Sequence, residues 1–192
     1  MADGVMDVPK EPIMEKNRLE AFSDGVLAIV ITIMVLELKQ PVGDSLDDLL
    51  ALEHVIVSYL LSFLFIAIYW VNHHLIFHQI ETVNVKILWC NIIWLLVMSF
   101  IPFTTAWVGT YPDSWVPVTL YFLNMFLACI TVHILIYFVM TGSCKAKFHL
   151  GLRNYVSFIA YGGAAFFGGF CPIVAFIIVA IVSIWWIFPE KY

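Results

Sequence analysis

The sequence predicts an all-α integral membrane protein with six transmembrane helices. Of its 192 residues, 62% are hydrophobic and only 12% are charged, well outside the range of soluble globular domains. The apolar residues also gather into six runs, each close to the ~20 residues that cross a bilayer. Six such runs leave little chain for an extramembrane domain. The expected organisation is a cytoplasmic tail over 1–17, a six-helix transmembrane domain over 18–188 and a cytoplasmic C-terminus over 189–192.

The N-terminal stretch MADGVMDVPKEPIMEKN has Pro9 and Pro12 and no apolar centre. It is therefore not a signal peptide and reads as a short flexible tail. The first helix runs from Arg18 to Leu38. The segment KQPVGDS breaks the chain, and Ser45 with Asp48 makes a capping box for the second helix, Leu49 to Phe77. The third helix runs from Val85 to Trp107. Within it Pro102 is expected to bend the axis, with Thr104 and Thr105 placed to satisfy the freed carbonyls. GTYPDSWVP turns the chain into the fourth helix, Val116 to Met140, and TGSCKAKFHLG leads to the fifth, Leu152 to Gly168. GGFCP is a tight hairpin into the sixth, Pro172 to Phe188. The last two helices are short and span with little tilt. Gly162, Gly163, Ala164 and Ala165 let the fifth approach a neighbour closely, and Trp107, Trp115, Trp185, Trp186 and Tyr192 suit interfacial belts. Cys90, Cys129, Cys144 and Cys171 show no C-x-x-C spacing, so they read as small buried packing residues.

Basic residues set the orientation. Lys10, Lys16, Arg18, Lys86, Lys145, Lys147, Arg153 and Lys191 fall on one side of the predicted bundle and only Lys39 on the other. The positive-inside rule makes both termini cytoplasmic. The opposite surface gathers Glu37, Asp44, Asp47, Asp48, Glu53 and Asp113, an acidic outer mouth that would concentrate cations within about a Debye length.

Polar residues at membrane depth are costly and point to sites. Asp24 lies about two turns inside the first helix. YWVNHH brings Trp70, Asn72, His73 and His74 to a similar depth on the second helix, and the third starts with Lys86 and Asn91. A buried carboxylate needs donors or a cation. Arg18, Trp70, His73, His74 and Asn91 are those on offer, which favours a structural latch joining three helices over a proton relay or a metal site. His74 and His78 have the i, i+4 spacing of a zinc pair, but no neighbouring acid or cysteine completes a tetrahedral set.

At 100° per residue, Arg18, Phe22, Gly25, Ile33 and Leu36 fall within ~40° of Ile29, and Thr32 within ~60°. Ser23 and Asp24 fall ~120° and ~140° away. The polar pair and the aliphatic stripe thus point in opposite directions, and the stripe faces either a packed helix or a symmetry axis.

The stretch RLEAFSD matches an R-x-x-x-F-S-D signature, and the chain resembles the transmembrane protein 175 family of potassium channels, with YWVNHH and NIIWLLVMSFIPFTT similar to that family in the next two helices. The resemblance covers the whole six-helix chain. Animal members carry two such repeats, so a single repeat implies four copies around a pore lined by the first helix. It also implies that Arg18, Phe22, Ser23 and Asp24 form the structural signature and that Ile29 lies at the constriction, with Thr32, Ile33 and Leu36 on the same stripe.

The residues agree with that architecture. No T-V-G-Y-G stretch is present, so selectivity cannot come from a carbonyl filter and falls to side chains. The alternative is a small proton-coupled carrier, or a proton leak using Asp24 with His73 and His74. No inverted repeat, broken helix or midplane charge supports a carrier, and no nucleophile with a base or complete metal ligand set supports an enzyme. No cofactor is implied beyond permeant potassium ions. The expected partners are copies of the chain, membrane lipid and monovalent cations, and not nucleic acid.

Overall fold

The computed structural model describes residues 14–142 and 151–188. The tail over 1–13, the loop carrying Cys144, Lys145 and Lys147, and the C-terminal stretch with Lys191 and Tyr192 lie outside the described residues. In chain order the elements are β1 (Met14–Glu15), α1 (Lys16–Leu36), α2 (Leu46–Leu50), α3 (Glu53–Phe77), β2 (Thr82–Val83), α4 (Val85–Ser99), α5 (Ile101–Thr110), α6 (Trp115–Gly142), α7 (Leu152–Phe167) and α8 (Pro172–Ile187).

Four runs are long and apolar enough to cross a membrane: Lys16–Leu36, Glu53–Phe77, Val85–Thr110 (α4 with α5) and Trp115–Thr141. The sequence predicts six crossings. The remaining two segments are the 16-residue α7 and α8, each about 24 Å long against a hydrocarbon core of about 30 Å. α1 lies on α3, α4 and α5. α6 packs behind α4 and α5, α7 packs on α6, and α8 closes the bundle onto α7 and α3. Phe65, Ile66, Trp94 and Phe122 are fully buried where these helices meet.

Three local predictions need correction. Residues 14–17 are not tail: Met14 pairs with Val83 and Glu15 with Thr82 in an antiparallel ribbon, and Lys16 opens α1. A two-residue strand has no periodicity to read. The Ser45–Asp48 capping box exists, with both side chains bonded reciprocally to backbone N–H groups at 3.2 Å. It caps the separate five-residue α2 and not the long helix, because the chain turns at Ala51 and Leu52 before α3 begins. The cysteines are not uniformly buried: Cys129 is, but Cys90 is half-buried and Cys171 is exposed at the N-terminus of α8.

Other predicted packing features are in place. A Cβ at Gly162 would meet the Phe126 ring of α6 at 3.1 Å, which sets the close approach of α6 and α7, while Gly163 faces open space. In the GGFCP hairpin, a Cβ at Gly169 would overlap Trp115 at 2.0 Å, so only glycine fits beside that indole. Trp186 is not a free belt residue: its Nε1 donates to Ser157 Oγ at 2.8 Å. Trp185 and Trp186 both lie against the Arg153 guanidinium, at 5.4 and 5.9 Å. Arg153 in turn donates to the Phe188 carbonyl at 2.7 Å, tying the start of α7 to the end of α8.

The break between α4 and α5 has a cause that the sequence reading missed. Phe100 ends α4 and precedes α5, with Pro102 in the first turn of the new helix. Into the gap comes Asn124 of α6, which is buried. With its amide oriented by its hydrogen-bond partners, the nitrogen donates to the Val97 carbonyl at 3.1 Å and the oxygen accepts from the Ile101 N–H at 3.2 Å. Those two groups would bond each other in an unbroken helix, so the side chain is inserted into the ladder and holds the break open. Thr104 donates to the Ile101 carbonyl at 3.2 Å, which is not the one that Pro102 frees: the missing N–H of a proline leaves the carbonyl four residues back, here that of Met98. Thr105 instead joins a buried cross-tie, with Ser62 Oγ at 2.7 Å and Tyr121 Oη a further 3.0 Å from Ser62.

Replacing Asn124 with Leu leaves the Val97 carbonyl and Ile101 N–H without the amide, at a cost of about 1–3 kcal/mol per stranded group. The thermal midpoint of the detergent-solubilised protein is expected to fall by several degrees. An unchanged midpoint would assign the break to Pro102 alone.

Candidate functional site

α1 is divided lengthwise. Leu19, Ser23, Leu27, Val30 and Met34 are buried, at the i, i+4, i+8, i+11 and i+15 positions of one helical face. The opposite arc, from Phe22 through Gly25, Ile29, Thr32 and Ile33 to Leu36, is exposed. Ile29 is 60% and Leu36 76% accessible. α1 packs on α3, α4 and α5, and among the described residues the stripe stays accessible beside them. Among the described residues of this chain the stripe is therefore not covered by a packed helix.

The buried face is held by a directional chain of hydrogen bonds. Ser23 Oγ donates to its own i−4 carbonyl, Leu19, at 2.8 Å. Asn91 of α4 donates from Nδ2 to Ser23 Oγ at 2.9 Å. His73 Nε2 lies 2.8 Å from Asn91 Oδ1. An amide oxygen only accepts, so this network assigns the proton of His73 to Nε2. The ring of His73 is stacked on Trp94 (5.0 Å, 13°) and on Phe77 (4.4 Å, 30°), which fixes its plane. Ser23, His73 and Asn91 are all essentially inaccessible. A neutral chain of this kind, closed within the protein, is the form in which polar groups persist at bilayer depth.

The predicted latch thus exists, but with fewer members and a different division of labour. Ser23 is its buried part on α1. Asp24, expected to be the buried carboxylate, is exposed at the edge of the open arc, where its Oδ1 accepts from Trp70 Nε1 at 2.9 Å. The 100° step between consecutive residues sends Ser23 toward α4 and Asp24 toward α3. His74 is not a member: its exposed ring lies 3.7 Å from Glu20, which also faces Lys16 at 4.0 Å. Arg18 and Phe22 are exposed, so the donor to Asp24 is Trp70 and not Arg18. Among the described residues no three His, Cys, Asp or Glu side chains are arranged to hold a metal.

At the far end, Glu37, Lys39 and His54 line a recess of about 730 Å³ between α1, α3 and α5. Glu53 and His54 are 3.6 Å apart, and Asp48 is engaged in the cap of α2. The predicted acidic surface is therefore partly committed to local bonds.

A helical membrane bundle whose first helix is latched along one face and accessible along the other has the architecture of a channel subunit. Comparison with known proteins agrees. The family model described as endosomal/lysosomal potassium channel TMEM175 matches residues 18–102. A potassium channel of Chryseobacterium sp. is 38% identical over 183 residues, covering 93% of this chain and 95% of that one. A potassium channel of Streptomyces collinus is 39% identical over 104 residues, or 50% of this chain and 49% of its own. Among solved structures, the crystal structure of a lysosomal potassium-selective channel TMEM175 homologue from Chamaesiphon minutus superposes with a TM-score of 0.70 at 26% identity, covering 90% of this chain and 96% of that one. The chain belongs to the TMEM175 family.

The latch predicts an order of effects. Asn91→Leu strands both the His73 N–H and the Ser23 oxygen in a dry interior, at a cost of about 1–3 kcal/mol for each group. Asp24→Asn keeps an acceptor for Trp70 at an accessible edge and costs less. Thermal unfolding in detergent is expected to rank Asn91→Leu well below Asp24→Asn. The reverse order would make the carboxylate, and not the buried chain, the main tie.

Proposed function

We propose that this protein is a potassium channel of the cell membrane in which four copies surround a central axis. Each copy crosses the membrane six times, with α7 and α8 as the short final crossings and both termini on the cytoplasmic side. α1 lines the pore, and Ile29, Thr32, Ile33 and Leu36 form its narrow part. The observation that carries this reading is the division of α1, whose buried face carries the latch while its other face leaves Gly25, Ile29, Thr32 and Leu36 exposed among the described residues. The relatives' names, and the potassium selectivity stated for the Chamaesiphon minutus homologue, support the choice of ion.

The physics of such a pore follows from its dimensions. Four helices with neighbouring axes ~10 Å apart place opposite axes ~14 Å apart, and helix bodies of ~10 Å leave an opening of a few Å. Isoleucine side chains narrow it to about a bare or partly hydrated ion. An apolar ring offers no ligands, so passage is limited by the cost of shedding water, and potassium holds its water less tightly than sodium. A modest potassium preference results, and the same ring closes by dewetting. The Thr32 hydroxyl donates to the Ala28 carbonyl at 2.8 Å, which leaves its oxygen able to face an ion.

The carrier or proton-leak alternative through Asp24, His73 and His74 draws less support. His73 is buried, stacked on two aromatic rings and bonded to Asn91, while His74 sits apart beside Glu20. The three do not form a continuous relay.

Replacing Ile29 with Asn removes branched methyls and supplies four amides that stand in for water, so the dehydration cost falls for every cation and most for sodium. Bi-ionic reversal potentials are expected to show sodium permeability rising toward that of potassium, with larger basal current. Val30→Asn, one residue along but buried, is expected to disturb folding instead. Unchanged selectivity in a well-assembled Ile29→Asn tetramer would move the constriction to Leu36. A particle that stays monomeric under gentle crosslinking would remove the shared axis altogether.

A further inference from the structure

A second chain of hydrogen bonds reaches the buried face of α1, toward the other end from the latch. It starts on α6, where Tyr121 is buried with its ring stacked on Phe176 of α8 at 5.6 Å. Tyr121 Oη lies 3.0 Å from Ser62 Oγ of α3, Ser62 lies 2.7 Å from Thr105 Oγ1 of α5, and Thr105 lies 4.0 Å from the Met34 sulfur of α1. All four side chains are buried. A thioether only accepts, so Thr105 donates to Met34, Ser62 to Thr105 and Tyr121 to Ser62. The chain thus runs in one direction across four helices and ends on α1.

Met34 lies about 16 Å along the helix axis from Ser23 and within about 20° of it around the axis. The two ties therefore meet α1 on one line. Ile29 falls between their levels, while Ile33 and Leu36 stand beside the outer tie on the far side of the helix. The ties differ in strength. At the inner level Ser23 takes the Asn91 amide and anchors to a backbone carbonyl, whereas the outer chain ends on sulfur, a weak acceptor. They differ in mounting as well, because Thr105 belongs to the ten-residue α5, which the Asn124 amide separates from α4. Asn124 and Tyr121 lie three residues apart on α6, so one face of α6 places α5 and, through it, the outer half of α1. We propose that Thr105, held by Ser62 and Tyr121, is a positioning residue for the outer half of α1, its bond to Met34 setting how Ile33 and Leu36 are presented on the accessible side. The bearing on permeation rests on the reading of α1 as the pore lining; the tie itself does not.

Three substitutions isolate the last bond of the chain. Thr105→Val keeps the shape and removes the donor, Thr105→Ser keeps the donor, and Met34→Leu keeps an apolar side chain of similar volume and removes the acceptor. Amide hydrogen exchange of the full-length protein in detergent is expected to quicken about threefold over residues 31–36 in Thr105→Val and in Met34→Leu, the size of one interhelical hydrogen bond in a membrane protein. Residues 19–27 are expected to keep their rates, and Thr105→Ser to behave as wild type. The double variant is expected to match Thr105→Val, since both changes remove the same bond. In bi-ionic recordings Thr105→Val and Met34→Leu are expected to shift the potassium-to-sodium permeability ratio and Thr105→Ser to leave it in place, with Ile29→Asn recorded alongside. Unchanged exchange over 31–36, a rise spread evenly along α1, or effects that add in the double variant overturns the tie. A ratio unmoved by Thr105→Val but moved by Ile29→Asn overturns its role in permeation, whereas a ratio unmoved by either counts against the pore reading, and the exchange rates still decide the tie.

Discussion

Hydrocarbon offers no hydrogen bonds, so a polar group carried into the bilayer on one helix must be met by a polar group from another. The rest of this structure depends on that constraint, and the bond between Asn91 and Ser23 is its central instance. Asn91 reaches Ser23 across 68 residues of sequence and accepts from His73 on a third helix. Individual ties of this kind are worth only ~0.6 kcal/mol on average in membrane proteins. Their effect is geometric: once Ser23 faces Asn91, the rotation of α1 about its own axis is set, and with it the direction of every other residue on that helix.

The same rule recurs along the bundle, each time at a place where helices must keep a fixed relation. Ser62, Thr105 and Tyr121 tie α3, α5 and α6. The amide of Asn124 lies inside the break between α4 and α5, where it replaces one backbone bond with two. Arg153 joins the start of α7 to the end of α8 through the Phe188 carbonyl and two indole rings. These ties lie at separate positions, so the surrounding apolar packing, such as Phe65, Trp94 and Phe122, can be continuous between them.

A helix fixed on one side is free to serve on the other. The accessible arc of α1 is aliphatic and small, with Gly25, Ile29, Ile33 and Leu36 and a single hydroxyl at Thr32. In a pore such a surface acts by what it withholds, namely ligands for a dehydrating ion. The latch also decides what that arc presents, since a rotation of α1 by one residue, 100°, would bring Val30 or Ala28 to the accessible side in place of Ile29.

By itself the sequence determined the membrane class, the position of the helical segments to within a few residues, and the depth at which polar groups gather. All three depend on local quantities, namely run length, hydropathy and the cost of a polar atom in lipid. It also grouped Arg18, Phe22, Ser23, Asp24, Trp70, His73, His74 and Asn91 in one latch, because their positions in three adjacent helices put them near one level. Only the tertiary structure decided which of them meet. Helical neighbours point 100° apart, so the choice between Ser23 and Asp24, or between His73 and His74, depends on how each helix is rotated against the others. Such rotation is set by contacts between residues far apart in the chain, which no local pattern records. The inserted amide of Asn124 and the ribbon between Met14–Glu15 and Thr82–Val83 were hidden for the same reason: each exists only where separate elements converge.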